Sequence, residues 1–268
     1  MPDVYLTINE ADPALLAEIA TGLEARAALP QQVEILETYL GDVDFPDGAR
    51  VLDVGCGTGA QSRTLIRQPG VGEVVGVDRA KFLLERAREL GAGIDSLSFE
   101  EGDGHNIPLA DASFDVAVAH TLLTHVADSE AVITDIFRVL RPGGTLAICD
   151  GDFSTMSASI GDRDPLQACA DSFVEYTVND AWLMRRLPHL VCEVGFTTGC
   201  ARSYNFIETE DPLTTANWFR RGADWLVKEG RIASELGDAL KAEIERRVTA
   251  GVYFGCMKYD SLICCKPG

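Results

Sequence analysis

The sequence predicts an α/β fold, an open and mostly parallel sheet of seven strands with added helical lid elements. Three observations carry this expectation. A short apolar run, Val51 to Val54, enters a turn rich in glycine (Gly55, Gly57, Gly59), and the helix-forming run Ala60 to Ile66 follows at once. Strand-like and helical segments then alternate as far as Asp150, with connections that suit parallel strands. Two more strand-like stretches, Thr197 to Phe206 and Tyr253 to Lys266, flank a largely helical insertion, Pro212 to Ala250. In an open α/β sheet, strand, glycine turn and helix make a nucleotide-sized pocket at the carboxyl ends of the strands.

Taken in order, residues 13 to 28 read as a helix. Asp12 can cap it, Pro13 suits its first turn, and Leu15, Leu16, Ile19 and Leu23 recur at helical spacing. Pro30 separates it from a second helix, Gln31 to Leu40, with Val33, Leu36 and Leu40 on one face. Glu73 to Asp78 is a second strand ending in an acid about twenty residues past the glycines. A nucleotide-binding unit places its ribose carboxylate there. The helix Ala80 to Leu90 points Leu83, Leu84, Ala87 and Leu90 inward. Leu97 to Glu100 gives a third strand and Ser113 to Ala119 a fourth. Asp128 and Ser129 cap a helix bearing Val132, Ile133, Ile136, Val139 and Leu140. The turn Arg141 to Gly144 leads to a fifth strand, Thr145 to Cys149. Ala181 to Val194 is helical and stops at Gly195, a left-handed cap.

The chain of 268 residues, 46% hydrophobic, suits one core domain with insertions. No apolar run approaches a membrane-spanning length. The acidic start has no basic region or apolar signal core, so a cytoplasmic location is expected. The formal net charge is −19, which at long range repels nucleic acid and anionic membranes. Neither is expected as a partner. Residues 1 to 50 carry ten acids against Arg26 and Arg50. That is a solvated helix surface, or an aid to admitting a neutral or cationic substrate. The eight cysteines form no C-x-x-C pair, so no zinc ribbon or thioredoxin-type site is expected. The vicinal Cys264 and Cys265 are a weak signal for a soft metal, no carboxylate triad stands out, and no metal is expected.

Five stretches carry a resemblance: VLDVGCGTG (51 to 59), VVGVD (74 to 78), EGDGHNIPL (101 to 109), SFDVAVAHTLLTHVAD (113 to 128) and RVLRPGGTLAICDGD (138 to 152). Together the sequence resembles the class I S-adenosylmethionine-dependent methyltransferases, and within them the quinone C-methyltransferases and natural-product methyltransferases. The resemblance implies a Rossmann-like sheet whose last strand is antiparallel. It implies an amino-terminal helical lid over 1–47 and a cofactor-binding core over 48–152. The remainder of the sheet would lie in 153–268, with lid insertions near 153–178 and 212–250. The cofactor implied is S-adenosylmethionine, leaving S-adenosylhomocysteine as product.

Residue by residue, the resemblance puts Gly55, Cys56 and Gly57 along the methionine portion and Asp53 toward its amino group. Asp78 would take the ribose hydroxyls, Arg79 would flank the adenine, and Asp103 would accept from the adenine amino group beside Gly104. Ala119 and His120 would approach the sulfonium, and Arg26 would reach the cofactor carboxylate from the lid. A sulfonium cofactor has no phosphate, which agrees with a glycine turn that holds no basic residue.

Two other readings stay open. Gly55, Gly57, Ala60 and Asp78 also satisfy the dinucleotide pattern of an NAD(P)- or FAD-dependent oxidoreductase. The fold can also bind the cofactor without transferring a methyl group. For transfer, His120 is the candidate base or acceptor-orienting group, because histidine titrates near neutrality. His125 reads as structural, and Asp150 and Asp152 sit at a strand end within reach of a substrate. Trp218, Phe219, Trp225, Phe153, Met156, Phe173 and Tyr176 suggest an apolar or aromatic small-molecule acceptor, or simply lid core.

Overall fold

The computed structural model describes residues 3–268. Residues 1–2 of the expected lid lie outside them. One sheet contains β1 Ala49–Val54, β2 Val71–Asp78, β3 Leu97–Glu101, β4 Phe114–His120, β5 Leu140–Ser157, β6 Thr197–Glu208 and β7 Gly255–Cys265. Their order is β3-β2-β1-β4-β5-β7-β6. The first five pair in parallel, and β7 runs antiparallel between β5 and β6. This is the expected sheet. Its parallel strands leave the carboxyl ends of β1, β2, β3 and β4 on one edge, where the glycine turn lies.

Both faces of the sheet are covered, and strand residues alternate between them as the period of two requires. Val51, Val74, Val116, Val118, Ala147 and Cys149 join the core beneath α2 (Pro30–Leu40), α6 (Gln167–Thr177), α8 (Thr215–Lys228) and α9 (Ser234–Thr249). Leu52, Val54, Val75, Val77, Ala117, Ala119, Leu146 and Ile148 face α5 (Ser129–Val139) and α7 (Leu183–Val194). The remaining helices are α1 (Pro13–Ala27), α3 (Ala60–Leu65) and α4 (Lys81–Leu90), and a 3-10 segment spans Val4–Glu10. The Asp12 carboxylate caps α1 through the Ala14 N–H at 2.7 Å, and Gly195 closes α7 at φ +115°.

The structure departs from the sequence pattern in three places. β5 is longer than Thr145 to Cys149, and the expected boundary at residue 152 falls inside it. The turn at Arg141 to Gly144 is a bulge, with Gly143 at φ +80°. Backbone bonds to Lys266 hold it at 2.9 and 2.8 Å. Beyond Cys149, β7 supplies partners that β4 no longer offers. On α2 the packing face is Ile35, Leu36, Tyr39 and Leu40, while Val33 is exposed. The aromatics of the insertion are largely core. Phe219 is fully buried, Trp218 stacks on Phe173 at 5.4 Å, and Trp225 stacks on Tyr176 at 5.3 Å.

Candidate functional site

A cavity of about 980 Å³, counting its open mouth, lies over the glycine turn. Its floor is built by β1 and the turn. The Gly55 N–H donates to the Val77 carbonyl at 2.7 Å, and the Cys56 N–H to the same oxygen at 3.1 Å. Gly55 has φ +71° and Gly57 φ +53°, a region costly to side-chain-bearing residues. A Cβ on Gly55 would also lie 2.5 Å from the Leu122 side chain. Asp53 is 1% exposed and lies outside the cavity lining. It accepts a hydrogen bond from the Ser62 hydroxyl of α3, and burial lifts its carboxyl to about 7.

Two acids reach the cavity from neighbouring strands. Asp78 ends β2 and accepts from the Gly57 N–H and the Ala80 N–H, both at 2.8 Å. It therefore ties the glycine turn to the start of α4, and burial raises its carboxyl above the ordinary range. Asp103 follows β3. Burial pushes its carboxyl up, but the His105 N–H, the His105 ring and Arg79 outweigh that and hold it below the usual range. His105 keeps its proton on Nδ1 for Asp103, because its Nε2 accepts from the Asp128 N–H at 3.3 Å. The Arg79 guanidinium lies 3.9 Å from Asp103, and its Nε is buried without a partner among the described residues.

The end of β4 forms the opposite wall. Ala119 is fully buried beneath it and His120 lines the cavity. Burial and the charge of Arg26 bring the His120 ring down to about 3. The Tyr39 hydroxyl of α2 lies 3.1 Å from His120 Nδ1. It has no other hydrogen-bond partner among the described residues, so the O–H donates there. The ring proton then sits on Nε2. Arg26 of α1 donates to the Thr121 hydroxyl at 3.0 Å. Thr121 is held at φ +50°, a strained conformation for a β-branched residue.

Of the expected site residues, Arg26, Gly55, Cys56, Gly57, Asp78, Arg79, Asp103, Gly104 and His120 share the cavity wall. Asp53 and Ala119 lie behind it. Asp150 is buried and accepts from the Thr124 N–H and hydroxyl. Asp152 is held by Arg185 and Ser154. Neither lines the cavity.

Several lining residues carried no sequence signal. Tyr5, Leu6 and Ile8 come from the 3-10 segment. The buried Asp3 pairs with His125, and the Tyr5 ring packs on that imidazole at 4.9 Å. These contacts seat the amino-terminal segment over the cavity. Among the described residues, no group of three His, Cys, Asp or Glu side chains is placed to hold a metal ion.

The walls suit an adenosine-bearing sulfonium. The carboxylates of Asp78 and Asp103 both line the cavity and are its acidic acceptors. Arg79 stands on the same wall, and the glycine turn lets a ligand lie against the backbone.

Comparison with known proteins agrees with this geometry. A 29% identical relative is an uncharacterised transposon-encoded protein of Streptomyces fradiae, matched over 86% of this chain and 65% of its own length. The O-methyltransferase resE of Aspergillus sclerotiorum is 39% identical over 38% of this chain and 40% of its own. The chain thus spans less than two thirds of the length of these curated relatives. A candidate methyltransferase structure from Bacillus halodurans superposes with TM-score 0.63 at 20% identity, over 87% of this chain and 99% of that one. The methyltransferase domain family matches residues 46–210, more than half of the sequence. The chain belongs to that family.

Proposed function

We propose that this protein transfers a methyl group from S-adenosylmethionine to a small-molecule acceptor. The observation that carries the reading is the convergence of four strand ends on one cavity. The glycine turn follows β1, Asp78 ends β2, Asp103 follows β3 and His120 ends β4. Gly55, Cys56 and Gly57 would support the methionine portion, Asp78 the ribose, and Arg79, Asp103 and Gly104 the adenine. Arg26, which donates to the Thr121 hydroxyl, would reach the cofactor carboxylate from the amino-terminal helices. Asp53 and Ala119 shape the floor from beneath. The bound cofactor would supply a methyl carbon already activated by its sulfonium, so the protein's work is alignment and exclusion of water.

His120 orients the acceptor and does not take its proton. A ring held at about 3 is a weak base. With Tyr39 donating to Nδ1, Nε2 keeps the ring proton as a donor. His105 and His125 each hold an aspartate through Nδ1.

The test is incubation of the purified protein with methyl-labelled S-adenosylmethionine and a small-molecule extract of the host. Label is expected in an organic-soluble product, with S-adenosylhomocysteine formed in equal amount. Binding of the cofactor with no label transferred to any acceptor would favour a binding protein. Recovery of a bound nicotinamide or flavin dinucleotide would overturn the reading altogether.

A further inference from the structure

A second cavity, about 1290 Å³ with its open mouth, lies between α1 and α8. It meets the first at Tyr5, Leu23 and Arg26, which line both. Much of its wall is apolar, from Leu15, Ile19, Leu29, Leu213 and Trp218. Its charges oppose those of the whole molecule. Arg26, Arg220 and Arg221 face it against one acid, Glu18, in a chain of formal charge −19.

Two of these arginines are unpaired. Among the described residues, every arginine except Arg26, Arg67, Arg88 and Arg221 lies within 4.0 Å of a carboxylate. Arg88 donates to the Phe99 carbonyl, and Arg67 lines neither cavity. The other two are at this cavity. Arg220 is neutralised by Glu245. Arg221 is steadied by the Phe173 ring, 5.5 Å from its guanidinium, and Phe173 in turn stacks on Trp218. Arg26, at the junction, already donates to the Thr121 hydroxyl, so Arg221, on the cleft wall over the Phe173 ring with no carboxylate within 4.0 Å, is the cation left to meet an anion there.

We propose that this cleft holds the methyl acceptor, and that the acceptor is an apolar or aromatic organic anion. Its body lies along Trp218, Leu213 and Ile19, and its anionic group meets Arg221, with Arg26 at the junction with the first cavity. The assignment rests on reading the first cavity as the methyl donor's. The net negative charge does not defeat it. At physiological ionic strength screening acts over about 8 Å, so the adjacent guanidinium groups outweigh distant carboxylates. Arg pairs with planar anions through two parallel N–H bonds, which favours carboxylate-like groups.

Two dyes with the same aromatic frame test this on the full chain. 1-Anilinonaphthalene-8-sulfonate is anionic and N-phenyl-1-naphthylamine is neutral. Both are titrated by fluorescence into protein saturated with S-adenosylhomocysteine, which blocks the first cavity. The anionic dye is expected to bind at least tenfold tighter than the neutral one. Arg221→Gln is expected to weaken the anionic dye about tenfold while leaving the neutral dye and S-adenosylhomocysteine unchanged. Arg221→Lys should recover part of that loss. Lys228→Gln removes a positive charge from the same helix outside the cleft and should change nothing.

Equal affinity for the two dyes, or an anionic dye indifferent to Arg221→Gln, would overturn the proposal. If Arg221→Gln does not fold, the wild-type dye comparison decides alone. Failure of the wild-type protein to bind S-adenosylhomocysteine would instead sink the methyl-donor reading. The dye comparison on the unloaded protein would then still judge the cleft.

Discussion

Asp78 both braces the glycine turn and lines the cavity. Its two oxygens hold the Gly57 and Ala80 N–H groups and remain on the cavity wall. Hydrogen bonds to a charged group contribute about 1.5–3 kcal/mol each. Asp78→Asn is therefore expected to weaken S-adenosylhomocysteine binding about 10- to 100-fold, as measured by calorimetry. An unchanged affinity would remove the ribose role.

Asp53 and His120 make a second residue-scale expectation, because burial moves them in opposite senses. The unfolded chain protonates His120 below 6.5, but the folded chain does so only near 3. That group alone makes stability rise with pH across this window. The folded chain protonates Asp53 below about 7, but the unfolded chain only below 3.8. That group makes stability fall as pH rises. Between pH 4 and 6.5 the two proton counts cancel. Relative to wild type, His120→Gln should lose stability as pH rises, by at most about 1.4 kcal/mol per unit. Asp53→Asn should gain by the same measure. Urea midpoints at pH 4.5 and 6.5 read both slopes, and parallel slopes in all three proteins would contradict the assignment.

At the scale of elements, the packing of α8 on α6 turns on Gly222. By helix propensity alone, alanine at this position would gain about 1 kcal/mol. The structure reverses that sign. A Cβ at Gly222 would collide with the backbone carbonyl of Cys169, an atom that cannot rotate aside. Overpacking of this kind costs about 1–3 kcal/mol. Gly222→Ala is expected to lower the urea midpoint, and a rise would show that the two helices separate freely. The neighbouring α9 is fixed differently. The buried Arg247 donates to both oxygens of Asp164 at 2.6 and 2.9 Å, which ties α9 to the loop after β5. The cleft proposed for the acceptor is thus bounded by α8, itself anchored through α6 and α9, and by α1.

At the scale of the whole molecule, the cofactor cavity draws on the amino terminus, the glycine turn and four strand ends. A ligand that spans these parts should stabilise the fold as a unit. At about 100 times its dissociation constant a ligand adds about 2.7 kcal/mol. For a chain of this size that is roughly 5–10 °C in melting temperature. S-Adenosylhomocysteine is expected to produce such a rise, and NAD to produce none, in a thermal melt. A rise with NAD alone would reopen the dinucleotide reading. Among the described residues, no helix is long and apolar enough to cross a membrane.

Local chemistry made much of this legible in advance. Alternating apolar strands, the glycine turn and the Asp12 and Gly195 caps act over a few residues, so the sequence by itself determined the α/β class, the position of the turn and the acids that follow β2 and β3. What it did not determine depends on segments far apart in the chain. Tyr39 meets His120 across 81 residues, Arg26 meets Thr121 across 95, and Asp3 meets His125 across 122. No periodicity encodes such meetings, because each depends on how whole helices settle on the sheet. The tertiary structure alone decided that Asp53 lies under the floor and that Tyr39 reaches His120. It alone left two arginines without a carboxylate beside the cleft. Burial and neighbouring charge, which set those properties, exist only once the chain has folded.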